Sequence, residues 1–101
     1  MGQRKYPPLT PREIEEILIA RGFSFLKSKG DHNYYIHEVK GSKRIVQIDM
    51  GNPQYKDEWI KLVINETGMT RDQFYSTTKS TAKKVGIRCA NDEDLRKWAL
   101  A

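Results

Sequence analysis

Residues 23–49 read FSFLKSKGDHNYYIHEVKGSKRIVQID, and this stretch decides the fold. Phe23 to Ser28 alternates in polarity and opens on aromatics, as a short strand does. Lys29-Gly30-Asp31 turns the chain, and His32 to His37 carries the β-formers Tyr34, Tyr35 and Ile36. Lys40-Gly41-Ser42 turns it again before Arg44 to Asp49, with Ile45, Val46 and Ile48. Links this short join neighbouring strands as hairpins, so an antiparallel three-stranded meander is predicted.

Upstream, Thr10 suits a helix N-cap, Pro11 the first helical position, and Glu13 the far end of a Thr-x-x-Glu capping box. Ile14, Ile17 and Leu18 follow at helical spacing, and Gly22 supplies the stop. Downstream, Gly51-Asn52-Pro53 breaks the strand pattern. A helix is predicted from Lys56 to Thr67, with Trp59, Ile60, Val63, Ile64 and Thr67 on one face. Gly68 closes it, and Thr70 with Gln73 opens another helix that runs on through Ala82 and Val85 to Gly86. Asn91 caps a last short helix carrying Leu95, Trp98 and Leu100. The order α-β-β-β-α, with helices on one face of the sheet, defines an α+β two-layer domain with a C-terminal helical extension. Its core is expected to hold Ile14, Ile17, Leu18, Trp59, Ile60, Val63 and Ile64. The chain divides into a polar arm at 1–9, a domain at 10–78 and a basic extension at 79–101.

The chain has 101 residues, 38% of them hydrophobic, which suits one modest core. No apolar run is long enough to span a bilayer, and no secretory leader follows Arg4 and Lys5. A single cysteine, Cys89, forms no internal disulfide, which points to a reducing cytoplasm. Eighteen Lys and Arg against thirteen Asp and Glu leave a net charge of +5. From Lys27 to Arg44 five basic residues face two acids, and from Ser76 to Ala90 four stand with none. Such surfaces attract phosphate backbones, although charge alone favours an ordinary soluble protein that happens to be basic.

Two histidines are present, both on the second strand. Alternation puts His32, Tyr34 and Ile36 on one face and Asn33, Tyr35 and His37 on the other, so the histidines do not pair within one chain. Two His and one Cys far apart lack a metal-ligand spacing, and no phosphate loop or nucleophile elbow occurs. His32 follows a turn among Lys27 and Lys29, where an imidazole meets solvent and phosphate. By these residues alone the favoured reading is an ordinary surface histidine.

Leu9-Thr10-Pro11-Arg12-Glu13, then Gly22-Phe23, then Lys29-Gly30-Asp31-His32-Asn33-Tyr34-Tyr35 together resemble HicA toxins, the small mRNA interferases of HicA–HicB toxin–antitoxin systems. The segment from Ile60 to Thr70 is similar to that family's closing helix and exit, and the likeness covers about Leu9 to Tyr75. It implies a double-stranded-RNA-binding-domain-like fold and a metal-independent endoribonuclease with His32 as its catalytic group. A HicB-like antitoxin is the implied protein partner and mRNA the substrate. Asp31 stands where the family usually has Ser, which would set a negative charge beside the histidine. On this reading Lys27, Lys29, Lys43 and Arg44 contact phosphate, and Tyr34 orients the imidazole or stacks on a base. Two rivals share the scaffold: a non-catalytic RNA-binding module, and a protein-interaction domain with a basic tail.

Overall fold

The computed structural model describes residues 6–100. Helix α1 spans Pro11–Ala20, followed by strands β1 (Ser24–Lys29), β2 (His32–Val39) and β3 (Ser42–Asp49). Helices α2 (Glu58–Thr67), α3 (Arg71–Tyr75), α4 (Lys79–Val85) and α5 (Asp92–Lys97) complete the chain. The sheet has three strands in the order β1-β2-β3, both pairs antiparallel. The α+β class and the meander are as the turns at Gly30 and Gly41 predict. No helix among the described residues is long and apolar enough to cross a membrane.

Helix α1 begins as its sequence requires: the Thr10 side chain accepts from the Glu13 amide, and Glu13 reaches back to the Thr10 amide at 2.8 Å. Capping boxes also open α3 (Thr70, Gln73) and α5 (Asn91, Asp94). Tyr35, Val39, Val46 and Ile48 bury one sheet face against Ile14, Ile17 and Leu18 of α1 and Ile60, Val63 and Ile64 of α2. The Tyr35 hydroxyl donates to Glu15 at 2.5 Å and ties α1 to the central strand. Burial and that carboxylate push the phenol up to about 12.

Trp59 corrects the sequence reading. It is 62% exposed, whereas Ile60, Val63, Ile64 and Thr67 are buried. One helical step turns about 100°, so a stripe centred on Ile60 and Ile64 leaves Trp59 and Leu62 on its flank. A three-stranded sheet is too narrow to cover that flank as well, because α2 lies along the β3 edge.

The helix predicted to run unbroken from Thr70 to Val85 is also two. Gln73 O accepts from the Thr77 hydroxyl at 2.8 Å and from Arg21 Nη2 at 2.5 Å. Thr78 then caps α4 by accepting from the Thr81 amide. Hydroxyls competing for backbone groups end one helix and begin the next.

Arg21 is only 3% exposed and donates to Thr77 Oγ1 at 2.9 Å and Asp94 O at 3.3 Å. Trp98 Nε1 donates to Arg21 O at 3.0 Å, and its ring stacks on Phe23 with centroids 6.4 Å apart. Trp98 and Ala99 therefore belong to the same core as α1 and the sheet, across the boundary drawn at 78. Leu9, placed by sequence in the arm, is fully buried and pairs with Tyr55. The first half of that arm, 1–5, lies outside the described residues.

Replacing Trp59 by Ala should change unfolding free energy by less than about 1 kcal/mol. Ile60→Ala, one step round the same helix, should cost about 2–5 kcal/mol. Urea unfolding of the two variants checks the assignment of faces; a larger loss at Trp59 would reverse it.

Candidate functional site

The hairpin registers arrange the uncovered sheet face in rows. Lys29, His32 and Asp49 pair side by side across the three strands, and Lys27, Tyr34 and Gln47 form the next row. Directly opposed side chains on one face stand about 5 Å apart at Cβ. The bulge at Leu26, between Phe25 and Lys27, brings both β1 lysines onto this face. His32 Nε2 lies 4.0 Å from Asp49 Oδ2, and both side chains are about two-fifths exposed. The Lys27 ammonium sits 5.1 Å over the Tyr34 ring.

Asp49 is held in place. The Gly51 amide donates to its Oδ1 at 3.0 Å, which leaves Oδ2 for His32. Its own amide donates to the Tyr55 hydroxyl at 2.7 Å. A cleft of about 380 Å³ opens beside the pair, lined by His32, Gln47, Asp49, Trp59, Leu62 and Glu66 among others. Helix α2 forms its far wall. Burial lifts the Glu66 carboxyl above its ordinary range, while a hydrogen bond from the Gln47 backbone pulls the other way. That bond also satisfies an amide on the outer edge of β3.

The structure gathers Lys27, Lys29, His32 and Tyr34 at one end of the open face. Lys43 shares the face but opposes Glu38, six residues along β3 from Asp49 and thus about 20 Å away. Arg44 lies in the row of His37, on the other face. Its Nη1 donates to Asn65 O at 3.3 Å and Glu66 O at 3.4 Å, capping the end of α2. Gly68 follows at φ 85°, where a Cβ would stand 3.2 Å from Arg44 Nε, so this cap requires glycine. Lys27 and Lys29 also have a structural use, since charge on the fully exposed edge strand β1 discourages strand pairing with another chain.

His37 packs against Phe23 and Trp98, with ring centroids 5.2 and 6.1 Å away, and burial pushes its imidazole below the ordinary value. Asp31 lines a separate cleft with Thr10, Arg12, Glu15 and Asn33, whereas His32 lines the one beside α2. Asp31 does not line the His32 cleft, although its carboxylate borders Gly51 together with that of Asp49. Asp49, Glu66, Gln47 and Trp59 were not singled out as site residues in the sequence. Asp49 was legible in principle, since equal hairpin arms pair it with His32; Glu66 and Trp59 depend on how α2 meets the sheet. Among the described residues, no three His, Cys, Asp or Glu side chains cluster as a metal ion would need.

Comparison of the chain with protein-family models, curated proteins and solved structures gives no match.

A carboxyl whose folded pKa is raised holds its proton more tightly in the folded chain. Its stabilising contribution is complete below the unfolded value and is lost as pH rises through the folded one. Glu66→Gln removes this loss, so the variant should gain on the wild type in urea midpoint between about pH 4 and pH 7. A constant difference across that range would mean that Glu66 ionises as freely as in the unfolded chain.

Proposed function

We propose that the domain binds RNA on its open sheet face and cleaves it at His32, as the HicA resemblance implies. The observation that supports this most is the row Lys29–His32–Asp49 beside a cleft holding a second carboxylate, Glu66. The element order from α1 to α2 resembles that of a double-stranded-RNA-binding domain, and the net charge of +5 suits a polyanion.

RNA carries its own nucleophile. On this reading Glu66 takes the proton of a 2′-hydroxyl, whose oxygen attacks the adjacent phosphorus. The phosphorus–5′-oxygen bond breaks, and protonated His32 gives its proton to the departing oxygen, leaving a 2′,3′-cyclic phosphate. Asp49 fixes the imidazole, and Lys27 and Lys29 draw the phosphates onto the face. General acid–base catalysis of this kind contributes about 10²–10⁴-fold. An antitoxin partner of the HicB type belongs to the same reading and would cover this face.

Purified protein incubated with labelled single-stranded RNA tests the proposal. Cleavage should persist in chelator and show a bell-shaped pH profile whose rising limb is lost in Glu66→Gln. His32→Ala should lower the rate at least about 100-fold with the fold intact, whereas folded His37→Asn keeps it. Salt-sensitive retention of RNA without cleavage would establish the binding module instead, and neither effect would leave the interaction domain.

A further inference from the structure

Trp59 is the largest side chain that this fold leaves in solvent beside the candidate site. Its indole is 62% exposed and forms the rim between two depressions. On one side lies the His32 cleft. On the other lies a groove of about 710 Å³, lined by Tyr6, Lys61, Leu62, Met69 and Arg71 among others. Exposing an indole forgoes a large burial gain, so its position calls for a use.

The electrostatics of the His32 cleft select the occupant. Its described lining residues include the carboxylates Asp49 and Glu66 and no lysine or arginine. Phosphates are repelled from that floor: the reacting one sits at its mouth, at His32, and its neighbours lie over Lys27 and Lys29. A nucleobase is uncharged, presents a flat π-face to an indole, and offers ring and exocyclic N–H groups that the Gln47 side-chain oxygen can accept. The cleft volume admits one base and is far too small for a duplex.

Resting on the RNA reading above, we propose that Trp59 is the stacking platform for one unpaired base next to the phosphate at His32. The RNA strand then crosses α2 at Trp59. Lys61 of the second groove, half-exposed and 3.8 Å from Glu58, meets its continuation.

Intrinsic fluorescence reads this directly, because the other tryptophan, Trp98, is only 6% exposed. The probe is a short single-stranded oligonucleotide with 2′-O-methyl groups, which lacks the attacking hydroxyl and stays intact. Its blunt duplex is the comparison. The single strand should quench the emission and bind in preference to the duplex. Trp59→Ala should weaken that binding about 5- to 150-fold. Trp59→Phe keeps a ring, so it should retain most of the affinity while losing the quenching. Equal binding of strand and duplex, unchanged in Trp59→Ala, would overturn the stacking role and leave RNA binding standing. No binding of either probe would overturn both readings. A concentration-dependent dimer that Trp59→Ala abolishes, without quenching, would reassign the indole to contact between copies of the chain.

Discussion

A buried guanidinium organises one end of this molecule. Arg21 ends α1 with its charge out of water, and a charge so placed needs hydrogen-bond acceptors on every side. It finds them on three separate segments: Gln73 O at the end of α3, Thr77 Oγ1 in the following turn, and Asp94 O in α5. The Trp98 ring lies 5.8 Å from the guanidinium and bonds the Arg21 carbonyl. Removing any one segment would leave the cation under-satisfied, so the C-terminal helices are bound to the sheet domain by electrostatic necessity as well as by apolar contact.

Local chemistry was legible in the sequence wherever a short motif decides it. Thr10 with Glu13, Thr70 with Gln73, and Asn91 with Asp94 each specify a helix start within four residues, and Gly30 and Gly41 specify the hairpins. What could not be read depends on distant partners. The break after Tyr75 needs Arg21, fifty-odd positions away in the chain, to share the Gln73 carbonyl with local hydroxyls. Trp59 looks like core by its spacing, and only the narrowness of the sheet and the placement of α2 at its edge put it in solvent.

The candidate site divides along the same line. Strand alternation correctly separates His32 from His37 and groups His32 with Tyr34. Charge counting placed Arg44 with the lysines because both sit in one basic run, but the pleat turns Arg44 to the opposite face, where α2 offers unpaired carbonyls. Asp31, adjacent to His32 in the chain, belongs to another cleft, while Asp49, seventeen positions on, faces the imidazole. Sequence neighbours are poor guides to electrostatic neighbours in a strand; cross-strand partners are better ones.

The position of Trp98 has a consequence for the order in which the chain is made. Every side chain of the His32 cleft has left the peptidyl-transferase centre once Glu66 is added, yet Arg21, Phe23 and His37 still lack the indole that packs on all three. Lys40, in the hairpin between β2 and β3, also waits for Ala99 O to accept its amide at 2.6 Å. A chain cut short before residue 98 thus carries every residue of the His32 cleft on a sheet whose far corner is unsealed, and the residues just after α5 are what close it.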